Sequence, residues 1–527
     1  MSQHIFNSNI CRILFATCLS ALCLIALSTR AATITVTNTN DSGAGSLRQA
    51  LADANDGDTI ECGVTGIITL TTGELLVNKS ITVNGPGSGN LSIDGNRTTR
   101  VLHVSRSVTA AIAGLTITNG TVSSDFGAGG GIYNDHAVLT LSDCIVSGNS
   151  ATYGGGIFNE GFSGSATLTL NNCTVGGNWG LQHAGIGSPG GGIYNHGTSG
   201  SATVTSNSCT FSGNSATDGG GIYSVGFSGN AMVTLNNTTF SGNSAPFGGG
   251  ISNSGFSGNA AVTLNNSTFS GNSASYGGGI YNDGTSGSAT IDLTHTILSA
   301  GASGQNIYNS NGGTVTSQGY NLSSDAGVTN VGGSTGALAA TGDQINTNPL
   351  LGALQDNGGP TFTHAPLQGS PAIDAGDPNF TPPPYYDQCG PGYNRVADRR
   401  IDIGAFEVQI VIPTYAGQVQ APINPDGTST FNVRRGVVPV KFNLTLGGVA
   451  TCNLPPATIA VTRTAGGVNG EINESVYSGN ADSGSNFRID NCQYVYNLNA
   501  RALGVGTYRV DILIDGQVVG NGTFELR

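Results

Sequence analysis

The chain has 527 residues, 83 of them Gly, and only 9% are charged, against roughly 25% in ordinary soluble domains. Glycine at that density disfavours long helices, the lack of a strict G-X-Y period excludes collagen, and 38% hydrophobic residues are too many for a disordered chain. The lysines are Lys79 and Lys441, and a net charge of −13 leaves no cationic cluster with which to grip nucleic acid. What remains is an acidic, all-β, repetitive protein.

At the N-terminus Arg12 precedes the apolar run Ile13 to Leu27 and small residues around Ser28 to Ala32. That order predicts a secretory signal peptide over 1–32, too short to span a membrane comfortably. No later segment reads as a membrane helix, so the mature chain is expected outside the cytoplasm, secreted or at the cell surface. Residues Ser46 to Ala54 read as a short amphipathic helix suited to cap an open β-structure. The stretch Thr33 to Asn55, with Gly45-Ser46-Leu47-Arg48-Gln49-Ala50, resembles the opening module of many secreted bacterial β-helix proteins.

Self-similarity dominates the middle. Gly-Gly-Gly-Ile-Tyr-Asn or a near copy starts at 129, 154, 190, 219, 248 and 277, and the last three steps are each 29 residues. A degenerate copy follows at 304. Phe-Ser-Gly-Asn recurs at 211–214, 240–243 and 269–272. Apolar residues alternate with Thr, Ser and Asn between glycine-rich turns, which is strand periodicity. One such unit cannot bury its own apolar side, so the units must stack, each strand parallel to its copy about 4.8 Å away. The expected fold is a right-handed parallel β-helix over 33–347, its repeats at about 129–309.

Stacking predicts columns. Ile132, Ile157, Ile193, Ile222, Ile251 and Ile280 form one inward ladder, and Phe211, Phe240 and Phe269 another. Asn134, Asn159, Asn195, Asn253 and Asn282 form an amide ladder. Cys144, Cys173 and Cys209 share a column with Thr238, Ser267 and Thr296, as small packed thiols do. The Gly-Gly-Gly-Ile and Phe-x-x-Asn motifs resemble the repeats of polymorphic outer-membrane proteins, surface and adhesin-like β-helix proteins of bacteria.

Beyond the repeats, Asn348-Pro349-Leu350-Leu351-Gly352, Gly369-Ser370-Pro371-Ala372-Ile373-Asp374-Ala375-Gly376 and Asp402-Ile403-Gly404-Ala405-Phe406-Glu407 resemble the choice-of-anchor Q region. That resemblance implies that 348–411 end the β-helix. After a linker near Ile412-Pro413, alternating runs such as Tyr508-Arg509-Val510-Asp511-Ile512 predict an Ig-like antiparallel β-sandwich over 412–527. Pro439-Val440-Lys441-Phe442 resembles the signature of small secreted PxKF-type domains. Without the signal peptide the cysteines are Cys62, Cys144, Cys173, Cys209, Cys389, Cys452 and Cys492. None has zinc-type spacing, and in an oxidising compartment Cys452 and Cys492 are expected to pair.

Candidate chemistry is sparse. No Lys or Arg occurs between Arg106 and Arg395, which argues against a lyase that needs a cationic base and a clamp for anionic sugar. Asp135, Glu160 and His196 follow the asparagine column in successive coils. Asp135 and Glu160 are therefore the candidate carboxylates, weighed against a solvated turn tip. Tyr133, Phe158, Tyr194, Tyr223 and Tyr281 adjoin the inward isoleucines and are expected to face outward, with Phe162, Phe227 and Phe256 in longer loops. Such rings suit a sugar face or a partner protein, or else pack on one another. No cofactor and no metal site is expected. The expected function is a secreted or surface-associated, non-catalytic role in adhesion, binding or structure, with a polysaccharide or a host or cell-surface protein as partner. The alternative is a polysaccharide-active enzyme of the pectate lyase or polygalacturonase-like β-helix class.

Overall fold

The computed structural model describes residues 31–124, 127–181, 187–397, 400–409, 415–434, 436–466 and 480–527. The proposed signal peptide and the linker near Ile412-Pro413 lie outside the described residues, apart from Ala31 and Ala32. The chain divides into two compact units, 1–409 and 410–527.

The first unit is a parallel β-solenoid with three long sheets. A broad sheet has twelve strands and two others have ten each. Stacking follows the repeat in strict register: Ile132, Ile157, Ile193, Ile222, Ile251 and Ile280 pair coil to coil and are fully buried. They define what we call the isoleucine sheet. In the other ten-stranded sheet Phe211, Phe240 and Phe269 stack face to face with centroids 4.6 and 4.7 Å apart. At the N-terminal end the helix Leu47–Asp53 starts at Ser46, which accepts from Gln49 N, and buries Leu47, Ala50 and Leu51 in the solenoid core.

Two amide ladders run through the stack. In the first, Nδ2 of Asn134 donates to Asn159 Oδ1 (2.7 Å), and Asn159 to Asn195 (2.8 Å). Ser224 interrupts it, and it resumes from Asn253 to Asn282 and Asn309. The second consists of Asn149, Asn178, Asn214, Asn243 and Asn272, all buried, and includes the last residue of each Phe-Ser-Gly-Asn motif. The glycine triplets are steric necessities: Gly219 has φ +61°, and a Cβ on Gly220 or Gly221 would meet the next coil's carbonyl oxygen at 2.4 or 2.6 Å.

The described residues of 348–409 add no strand to these sheets; they lie along the flank of the phenylalanine sheet as a strap. The outward hydroxyls it buries are matched one by one. Thr210 Oγ1 donates to Phe362 O (2.5 Å), Thr239 Oγ1 to Gln388 Oε1 (2.6 Å), and Thr268 Oγ1 accepts from Ala405 N (2.9 Å). Arg395, fully buried, pins the strap through donations to Asn266 Oδ1 (3.2 Å), Asp402 O (2.8 Å) and Gly404 O (2.7 Å). Burial pushes the nearby carboxyls up, Asp387 to about 6 and Glu407 to about 8, against the opposing charge of Arg395. Two imidazoles pull the other way, burial lowering His295 to about 4 and also lowering His364. A raised carboxyl pKa stabilises the folded strap at low pH, and that contribution is lost as pH rises through about 8. The lowered histidines lose their contribution as pH falls below about 6.5. Strap protection is therefore expected to fall as pH rises from about 6.5 through about 8, and amide exchange measured over that range, corrected for the intrinsic rate, checks it; protection that rises there would contradict the assignment.

The second unit is an antiparallel region of two sheets, in which the pair Thr430–Phe431 with Glu525 and Leu526 is parallel. Both sheets feed one buried cluster including Val440, Phe442, Tyr494, Val510, Ile512 and Phe524. Pro439 sits in the strand Val437–Leu446 where only one neighbour pairs with it, the position at which a missing N–H is tolerated. Cys452 and Cys492 are disulfide-bonded, whereas Cys62, Cys144, Cys173, Cys209 and Cys389 are free and buried.

Candidate functional site

The richest side-chain constellation lies on the outer face of the isoleucine sheet, on the strands Leu102–Val104, Ile132–Asp135, Ile157–Glu160 and Ile193–His196. Alternation turns the residue after each buried apolar position outward. His103, Tyr133, Phe158, Tyr194 and Tyr223 consequently form a continuous row of rings with centroids 4.9, 5.6, 5.0 and 5.1 Å apart.

The expectation of an open aromatic platform needs correction. Phe158 and Tyr194 are only 5% and 8% exposed. Tyr153, in the turn before a glycine triplet, leans across both, with centroids 6.5 and 5.9 Å away. His196 also packs on both, 5.7 and 5.1 Å from the same rings. Tyr281 does not belong to this row, because Ser252 occupies the intervening column position; it packs instead on Phe247 and Tyr308. The loop rings Phe162, Phe227 and Phe256 are exposed, and Phe227 stacks on Phe256 at 5.0 Å.

Between these walls is a cavity of about 420 Å³ lined by Tyr133, Tyr153, Phe158, Tyr194, Glu160, His196, Arg100 and Ala128. The register places Asp135, Glu160 and His196 in one column, as expected. Glu160 Oε1 accepts from Phe162 N (2.9 Å) and lies 3.0 Å from His196 Nδ1. Asp135 is hydrogen-bonded to His136 and lies 3.8 Å from Arg106 and 3.9 Å from His103 Nε2. Both carboxylates are thus engaged by neighbours. Burial and the charges of Asp135 and Glu160 push the Tyr133 hydroxyl up to about 12, so it stays a neutral donor.

Three contributors lie one or two coils before the first glycine triplet. Arg100 sits 5.0 Å over the Tyr133 ring and donates to Ala128 O, Gly129 O and Glu74 Oε2. Glu74 also meets His103 Nδ1 at 3.2 Å. Burial opposes its charge, yet the His103 hydrogen bond and the Arg100 charge together hold its carboxyl below the usual range. The alternation of Leu102-His103-Val104 was the available signal for His103. Among the described residues no group of three or more His, Cys, Asp or Glu is placed to hold a metal ion. Chemically, the cavity offers ring faces flanked by imidazole, carboxylate and phenol hydrogen-bonding groups.

Residues 208–225 and 266–283 match the Chlamydia polymorphic membrane protein repeat, each spanning a Phe-x-x-Asn and a Gly-Gly-Gly-Ile motif. Among curated proteins none matches the chain. Among solved structures the chain is similar to pectate lyase Pel9A, at 15% identity and a TM-score of 0.39, over 72% of this chain and 97% of that one. Among the described residues no helix is long and apolar enough to cross a membrane.

Proposed function

We propose that this chain is a bacterial surface protein whose β-solenoid displays a non-catalytic binding site, the aromatic cavity at Tyr133, Phe158 and Tyr194, for a saccharide carried by a neighbouring cell or host surface. The observation that carries this reading is the cavity itself, where partly covered rings are bordered by Glu160, His196 and Arg100. Sugar rings offer apolar faces to aromatic side chains and hydroxyls to their polar rims. The repeats at 208–225 and 266–283 support the surface location. The hydrogen bonds of Asp135 with His136 and of Glu160 with the Phe162 amide favour binding over catalysis.

The competing reading is cleavage of a polysaccharide by the acidic column, favoured by Glu160 lying 3.0 Å from His196. A glycan array probed with residues 33–527, followed by calorimetry, tests the first reading; ultraviolet and reducing-end assays on polygalacturonate and other polysaccharides, with and without calcium, test the second. We expect binding that weakens about three- to tenfold in Tyr133→Ala, and no turnover. Turnover that vanishes in Asp135→Ala or Glu160→Ala would replace the binding role by an enzymatic one.

A further inference from the structure

A larger cavity, of about 700 Å³, shares no residue with the aromatic one and is formed between the strap and the corner after the broad sheet. Its volume falls in the range of small-molecule and oligosaccharide sites, roughly 300–1,000 Å³. The floor is a third amide row. Asn207, Asn236 and Asn265 end the strands Ser201–Asn207, Asn230–Asn236 and Asn259–Asn265 in register. Each donates at 2.9 Å to the asparagine one coil earlier, starting from Asn171. Every amide in the row keeps a second N–H beyond the ladder, and the row repeats every coil, about 4.8 Å.

The adjacent position holds Asn237 and Asn266, both at φ +48°, a left-handed corner that asparagine tolerates. Asn237 lines the cavity, is 6% exposed, and donates to Tyr386 O at 3.1 Å, while its Oδ1 has no partner. The opposite wall comes from the strap: Phe380, Pro383, Pro384 and Tyr385, the last 67% exposed. The acidic and imidazole groups in the lining are not free to recognise charge. Asp387 accepts from Cys389 N and Glu407 N, both at 2.7 Å. His295 accepts from Asp377 N at 3.0 Å and is neutral at pH 7, burial holding it down to about 4. The lining contains no Lys or Arg.

The geometry points to a second ligand site here, for an extended uncharged polysaccharide whose rings stack on Tyr385 and the proline faces while its hydroxyls bond the asparagine row. Periodic amides match a periodic ligand, and a floor without cations offers nothing to a uronate. The site is independent of the aromatic cavity.

The test is calorimetric titration of residues 33–527 with cellohexaose, laminarihexaose and mannohexaose, using galacturonic acid hexamer as the charged comparison. At least one neutral hexaose is expected to bind, about three- to tenfold more weakly in Tyr385→Ala and in Asn236→Ala. Tyr385 is exposed, so its variant should melt with the parent chain, and that control separates lost contact from lost fold. Failure of all three neutral hexaoses to bind overturns the proposal, as does binding indifferent to Tyr385→Ala. Binding lost only in Tyr133→Ala also overturns it, while leaving the aromatic cavity as a saccharide site.

Discussion

Arg395→Met is expected to release the strap from the solenoid. The guanidinium is fully buried among Asp387, Asp402 and Glu407, and supplies the donors for Asn266 Oδ1 and two carbonyls. Methionine fills much of the volume but leaves three buried carboxyls without an opposing charge. Breaking a buried charge network in this way costs about 3–5 kcal/mol, more than any one of the strap's other hydrogen bonds to the solenoid, such as those to the Thr210, Thr239 and Thr268 hydroxyls, contributes at about 1 kcal/mol. The coils beneath keep their own core, since the buried isoleucines and phenylalanines pack on one another. Limited proteolysis with mass mapping should show new cuts confined to 348–409, with the repeats resistant. Arg400→Met is the contrast: Arg400 is half-buried and, among the described residues, donates to the two carbonyls Ala375 O and Gly376 O, so its loss should cost under about 1.5 kcal/mol. Equal cleavage of Arg395→Met and the parent chain would show that the strap is held by something else.

The parts of this molecule that were legible in its sequence are those that repeat. A column of identical residues at fixed spacing has one economical reading, and the isoleucine, phenylalanine and first asparagine ladders follow from it. Position relative to those columns also fixed the alignment of Asp135 with Glu160 and His196. Coverage was harder to see than register. Tyr153 sits outside the aligned motif, so nothing in the spacing showed that its ring would shelter Phe158 and Tyr194. Arg100, His103 and Glu74 belong to coils before the first glycine triplet, where no repeat marks the frame. The basic gap after Arg106 argues against a lyase with a cationic base, yet Arg100 and Arg106, which precede the gap, stand at Tyr133 and Asp135. The strap was illegible for another reason. Its residues meet partners more than 120 positions away, as His364 meets Ser241 and Gln388 meets Thr239, and no local period encodes such a contact.

The buried asparagine of the Phe-Ser-Gly-Asn motif ties successive coils together through four side-chain hydrogen bonds, and Asn214→Leu should show it. Asn214 Oδ1 accepts from both N and Nδ2 of Asn178, at 3.1 and 3.0 Å, and its Nδ2 donates to Val175 O and Asn243 Oδ1, each at 2.9 Å. All three asparagines are fully buried, so no water can replace those bonds. Leucine is similar in size and favourable to bury, yet it leaves two donors and one carbonyl of the neighbouring coils without their partner. Each unsatisfied buried group costs about 1–3 kcal/mol, and the expected loss is about 3–6 kcal/mol. Asn259→Ala provides the scale, because its amide makes the same Asn-to-Asn bond, to Asn230 at 3.0 Å, but in solvent, where the change should stay within about 0.5 kcal/mol. Urea unfolding of residues 33–527, followed by far-ultraviolet circular dichroism, gives both values. If the two variants unfold at the same midpoint, the buried amide column is filler, and the hydrophobic ladders alone hold the coils in register.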